Sequence, residues 1–175
     1  MVARGANLAR LTGAVGRGQR RAMANAGRPD YMAEALAEAR AAAARGEVPV
    51  GAVLVDGATG AILARAGNET EATADPTAHA EMLAIRRAAA ALGAPRLAGC
   101  DLYVTLEPCA MCAAAIAFAR LRRVIYGAAD PKGGGVAHGA RVFDQPTCHH
   151  RPEIVAGVRE SEAGEVLRAF FQARR

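Results

Sequence analysis

Long apolar runs are missing from this sequence. Nowhere do roughly 18 uninterrupted apolar residues occur, which excludes a membrane-spanning helix. The pattern of a secretory signal, a charged, then apolar, then small-residue opening, is absent too. Cysteine is too scarce for a disulfide framework, with four in 175 residues. Two sit together in Cys109-Ala110-Met111-Cys112, while Cys100 and Cys148 stand apart. A reducing cytoplasm is therefore expected, with a metal or redox role for the close pair and Cys100 a buried, inert thiol. Lysine is nearly absent, Lys132 being the only one, so the basic character rests on arginine, which suits bidentate phosphate contacts. No internal repeat is visible.

What charge there is lies unevenly. Arg4, Arg10, Arg17, Arg20, Arg21 and Arg28 fall within residues 1–29, which hold no acidic side chain. Without them 16 basic residues face 17 acidic ones, so the net +5 is no evidence that the folded body binds nucleic acid. Residues 1–29 are read as a basic tail, disordered or an over-extended gene start, with an arginine-rich transit peptide as the alternative. Residues 30–175 are then one compact domain. The chain is 52% hydrophobic, enough for a core although much of that is alanine.

Local patterns divide the domain. Asp30 caps a helix reaching about Arg45, with Met32, Leu36 and Ala39 on one face and Gly46 as its stop. Val50–Val55 and Ile62–Ala66 read as strands joined by an Asp56-Gly57 turn. Asp75-Pro76 reads as a helix start, and that helix runs to about Leu92 before Gly93. Asp101–Leu106 is a third strand, Cys109 to about Ala119 a helix, and Val124–Tyr126 a fourth strand. A loop over 128–152 is long enough to expect a task. Ile154–Val158 is the candidate fifth strand, and Ser161 caps a last helix with Val166, Leu167, Phe170 and Phe171 on one side. Helices alternating with short strands imply a layered α/β domain.

Two segments carry chemistry: His79-Ala80-Glu81 and Pro108-Cys109-Ala110-Met111-Cys112. Thiols three residues apart share one face of a first helical turn. The electropositive helix N-terminus there favours thiolate. A borderline-soft ion such as zinc accepts thiolate and imidazole together, and three protein ligands leave a corner open for water, the mark of a catalytic site. His79 and Glu81 would diverge on a regular helix, so His79 belongs at the loop–helix junction, where both reach one cleft. A carboxylate there can move protons for a bound water. The alternatives are a thioredoxin-like redox pair, or a structural zinc site closed by a fourth ligand from Cys148-His149-His150.

His-x-Glu followed by Pro-Cys-x-x-Cys resembles the signature of the cytidine/deoxycytidylate deaminase superfamily, for which this motif and its zinc mechanism are an established worked case. Within it the chain resembles the bacterial tRNA-specific adenosine deaminases over about Asp30 to Arg175. The runs that carry the likeness are Glu47 to Val53, Asp75 to Glu81, Leu102 to Cys112, Tyr126-Gly127-Ala128, Asp130, and Phe170-Phe171 before Arg174-Arg175. The resemblance implies a three-layer α/β/α fold with a five-stranded mixed sheet, a homodimer, and one zinc ion per subunit on His79, Cys109 and Cys112. It implies that Glu81 is the catalytic proton shuttle and that the substrate is the wobble adenosine of a tRNA anticodon stem-loop, converted to inosine. It further implies substrate contacts from Val50, Asn68, the Ala80 N–H, Asp130, His149 (where relatives carry Asn), Arg174 and Arg175. The competing readings are a guanine, cytosine or free-nucleotide deaminase with the same zinc motifs, and a non-catalytic, zinc-stabilised RNA-binding module.

Overall fold

The computed structural model describes residues 29–174, so the expectations for the basic tail and for Arg175 lie outside the described residues. Helix α1 (Tyr31–Ala44) begins where Asp30 accepts a hydrogen bond from Ala33 N at 3.0 Å, the cap that its sequence promises. Strands β1 (Gly51–Asp56) and β2 (Ile62–Gly67) form a hairpin. A one-turn helix, α2 (Thr70–Thr73), precedes α3 (Ala80–Leu92). Then follow β3 (Cys100–Leu106), α4 (Ala110–Ala119), β4 (Arg123–Ala128), a 3-10 turn at Val142–Asp144, β5 (Glu153–Val155) and α5 (Glu160–Gln172).

The strands lie in the order β2-β1-β3-β4-β5. β1 is antiparallel to both neighbours, whereas β3, β4 and β5 run parallel, giving the mixed five-stranded sheet that the resemblance implies. Side-chain alternation along β1 separates two cores. Val53 and Val55 pack with Met32, Leu36 and Ala163 of α1 and α5. Ala52 and Leu54 pack with Ala84, Ala88, Ala113 and Ile116 of α3 and α4. The alanines do more than fill volume. A Cβ on Gly51 would lie 2.0 Å from Ala35 O and 2.5 Å from Ala39 N, so α1 sits directly on the β1 backbone.

Beyond shifts of one or two residues at strand and helix ends, the structure departs from the sequence reading in these places. Asp75-Pro76 does not start a helix: Asp75 Oδ1 takes Thr77 N at 2.7 Å and Asp75 O takes Ala78 N at 3.0 Å, which closes a turn and delays α3 to Ala80. Helix α2 was not anticipated, being too short for a periodic signal. β5 is confined to Glu153–Val155, because its pairing with β4 ends there. α5 starts at Glu160, after Arg159 in the left-handed region, and not at a Ser161 cap. Phe170 is buried and Phe171 is 50% exposed, since successive helical positions point about 100° apart. No helix among the described residues is long and apolar enough to cross a membrane.

Candidate metal centre and catalytic cleft

Topology gathers the site at one end of the sheet. β3 and β4 are parallel, so their C-terminal ends deliver Glu107 and Asp130 side by side. β1 is antiparallel to both β3 and β2, so its beginning and the end of β2 lie at that same end, with Gly51 paired to Gly67. Val50 and Asn68, the residues just outside that pair, thereby join them, tied by Asn68 N donating to Val50 O at 3.0 Å. Ligands at the carboxyl ends of parallel strands are the general rule for open α/β sheets.

Two helix N-termini point into this cleft. His79 is the N-cap of α3 with extended backbone (φ −70, ψ 150), the loop–helix junction that its spacing from Glu81 demands. Cys109 is the N-cap of α4 (φ −68, ψ 173), and Cys112 lies in its first turn, fully buried. His79 Nδ1 stands 3.6 Å from Cys109 Sγ and 3.5 Å from Cys112 Sγ. The three ligand atoms all lie within 4.8 Å of one another.

This donor set fits zinc. Bonds of about 2.3 Å to sulfur and about 2.0 Å to nitrogen, opened to a tetrahedral angle, set S and N roughly 3.5 Å apart. The protonation of the thiols points the same way. Cys109 is drawn down to about 4, first by its hydrogen bond with Cys112 and then by His79, while the Cys109 thiolate and burial push Cys112 far up. Two thiolates this close ionise together only with positive charge between them. Cys148, His149 and His150 do not join the group. The Cys148 thiol donates to His150 O at 3.1 Å, and His150 Nε2 is 2.6 Å from Leu121 O. Among the described residues the cluster therefore has three protein ligands, the number of a catalytic site and not of a closed structural one.

Glu81, 4% exposed, lies in the first turn of α3 and lines the same cleft, a cavity of about 290 Å³ shared with Val50, Asn68, Thr70, His79 and Asp130. Burial pushes its carboxyl up to about 7, so it both holds and releases a proton near neutral pH. Ala80 N is the first amide of α3 and has no acceptor within the helix. Asp130 Oδ1 accepts from Lys132 N and Gly133 N, which turns the loop at the cleft rim. Arg174 stacks 3.5 Å from the Phe170 ring centre and donates to Gly46 O at 3.2 Å.

Besides Arg174, which does not line the cleft, His149 is a predicted contact that the fold does not bring there. It lines a separate cavity of about 370 Å³ with Arg96, Phe118, Arg120 and Gln145, because β5 and the turn before it carry residues 147–150 past the far end of α4. Two buried carboxylates escaped the sequence reading. Glu107 accepts from the N–H groups of Asp130, Val136, Ala137 and His138 and from His138 Nδ1 at 2.7 Å. Burial alone would raise its pKa, yet these donors hold it at about 2. Glu47 does the same for residues 68–72. Their only sequence signal is a lone acid against apolar residues and proline, in Leu106-Glu107-Pro108 and Glu47-Val48-Pro49-Val50.

Known proteins place this architecture. The family model of the MafB19-like deaminases matches residues 27–175. The tRNA-specific adenosine deaminase of Agrobacterium fabrum is 59% identical over 148 residues, 85% of this chain and 96% of that protein. That of Bacillus subtilis is 49% identical over 145 residues, 83% of this chain and 89% of that protein. A structure solved in a study of A-to-I editing by tRNA:A34 deaminases at the wobble position superposes with a TM-score of 0.76 at 60% identity, covering 78% of this chain and 98% of the other. The chain thus belongs to the deaminases of the cytidine deaminase-like superfamily, in the family of the tRNA-specific adenosine deaminases.

Proposed function

We propose that this protein hydrolyses the wobble adenosine of a tRNA anticodon to inosine, releasing ammonia. The observation that carries the reading is the convergence of His79, Cys109 and Cys112 with a buried Glu81 in one cleft. Its support for adenosine in tRNA is the shared identity with relatives of that activity across nearly their whole length.

His79, Cys109 and Cys112 would hold one zinc ion, which when bound supplies Lewis acidity that makes water ionisable near neutral pH. Glu81 takes a proton from the attacking water and delivers it to N1 of the adenine, so that C6 gains oxygen and loses its amino group. The free N–H of Ala80 donates to the oxygen arriving at C6. Val50 packs against the base, Asn68 meets its edge, and Asp130 contacts the sugar of the neighbouring nucleotide. Arg174, at the Gly46 end of the segment that leads into Val50, contacts the RNA backbone, as does Arg175, the next residue in sequence. We also assign the protein to the cytoplasm and to a homodimer in which Phe118, 80% exposed on α4, is covered by the second copy, bringing His149 toward the partner's substrate.

Incubation of the zinc-loaded protein with an anticodon stem-loop and with free guanine, cytosine and nucleosides tests the reading, with inosine detected by sequencing. Inosine at the wobble position alone is the expected result. Deamination of a free base with the RNA untouched overturns it.

A further inference from the structure

Glu47 is 1% exposed, sits outside the metal cluster, and has no part in the chemistry above. Its carboxylate nonetheless bonds two residues that line the cleft, Asn68 and Thr70. Oε2 accepts from Asn68 Nδ2 at 3.2 Å, from Thr70 Oγ1 at 3.3 Å and from Glu71 N at 3.2 Å, while Oε1 accepts from Ala72 N at 2.8 Å. Asn68 Nδ2 donates in addition to Thr70 Oγ1 at 2.9 Å, which closes a triangle of Glu47, Asn68 and Thr70. Asn68 is itself 5% exposed, and it and Thr70 line the catalytic cleft.

An ionised carboxylate only accepts, so every group around it is forced to point a donor inward. Burial works against ionisation, but the Ala72 and Glu71 amides, Asn68 and Thr70 outweigh it and lower the Glu47 pKa. The consequence for Asn68 is geometric. An asparagine amide has two chemically different ends and a soft terminal torsion, and left to itself it would flip. Held by its nitrogen at two points, it presents one fixed end to whatever occupies the cleft.

We propose that Glu47 is a specificity-determining positioning residue: it sets the orientation of the Asn68 amide, and through it the base edge that the cleft accepts. This rests on the proposed adenosine deaminase activity.

The test is a double-mutant cycle on the full, zinc-loaded chain: Glu47→Gln, Asn68→Ala and the double variant. KM and kcat are measured on anticodon stem-loops carrying adenosine or cytidine at the wobble position, with zinc content and Tm alongside. Glu47→Gln is expected to raise KM for adenosine roughly tenfold, the scale of one misaligned hydrogen bond, with a smaller change in kcat and zinc retained. Its preference for adenosine over cytidine falls as it does in Asn68→Ala. In the Asn68→Ala background the Glu47 substitution adds nothing, because its target is gone. Multiplying effects in the double variant, or an unchanged KM and preference in Glu47→Gln, overturn the proposal. Should Glu47→Gln fail to fold, Thr70→Val removes one corner of the triangle and leaves the backbone donors in place. Its smaller rise in KM must likewise vanish beside Asn68→Ala. Should the parent protein leave RNA untouched, the activity reading has failed, and the same cycle on the base that it does deaminate decides the Glu47 inference separately.

Discussion

The close approach of Gly135 to the metal-binding turn gives a measurable consequence. A Cβ at this position would lie 2.5 Å from Ala110 N, 2.6 Å from Ala110 Cα and 2.7 Å from Cys109 C. All three are backbone atoms, so no rotamer change relieves the overlap. The loop has little freedom to withdraw. Gly135 N donates to Pro108 O and Val142 N to Gly135 O, each at 2.8 Å, and Glu107 grips the next three amides. Overpacking of this kind costs about 1–3 kcal/mol, and loosening one of the two hydrogen bonds adds about 1 kcal/mol. Gly135→Ala is therefore expected to lose roughly 2–4 kcal/mol, which in a chain of this size lowers Tm by about 5–15 °C. Because the displaced atoms belong to the Cys109–Ala110 turn, zinc retention after desalting should fall with it. Gly133→Ala is the control. Its Cβ would lie nearest the Asp130 side chain, at 3.0 Å, which can turn aside, and its Tm should stay within about 2 °C of the parent. Calorimetry and metal analysis of both variants decide the matter. A Gly135→Ala protein as stable and as zinc-rich as the parent would show that this contact does not hold the metal turn in place.

Four further outcomes are expected. Glu81→Gln should keep its zinc and its fold while turnover on the stem-loop drops by about 10²–10⁴, the scale of general acid–base catalysis; undiminished turnover removes Glu81 from proton transfer. Cys112→Ser, which leaves a poor ligand in a buried position, should lose metal and activity together, as read by metal analysis of the purified protein. Glu107, held at about 2 against an ordinary 4.5, contributes stability that is present above 4.5 and lost as pH falls through 2. Glu107→Gln should accordingly be up to about 3 kcal/mol less stable near neutral pH, with the gap closing in acid, and a gap independent of pH would refute its ionised role. Arg174→Ala should weaken RNA binding and reduce the slope of log K against log salt by up to about one, whereas an unchanged slope places the RNA elsewhere.

The clustering of His79, Cys109 and Cys112 was legible because its geometry is local. Cys109 and Cys112 are one helical turn apart, and His79 and Glu81 straddle one helix start, so residue spacing alone constrains where their side chains go. Strands β1 to β4 were legible for a similar reason: short apolar runs between glycine-bearing turns have few other uses. Sequence could not show that Asp75-Pro76 closes a turn, since a helix cap and an Asx turn use the same side chain. Nor could it distinguish Phe171 from Phe170, or keep His149 from the cleft, because only the packed sheet decides which face a neighbour covers.

Glu47 and Glu107 mark that division most sharply. By itself the sequence determined the His79, Cys109 and Cys112 cluster and the layered α/β class, through periodicities that act within a few positions. Tertiary structure alone decided that two acids of ordinary appearance are buried and ionised. Most of their stabilising partners are backbone N–H groups 23 to 31 residues away, and a backbone amide is the same whatever residue carries it.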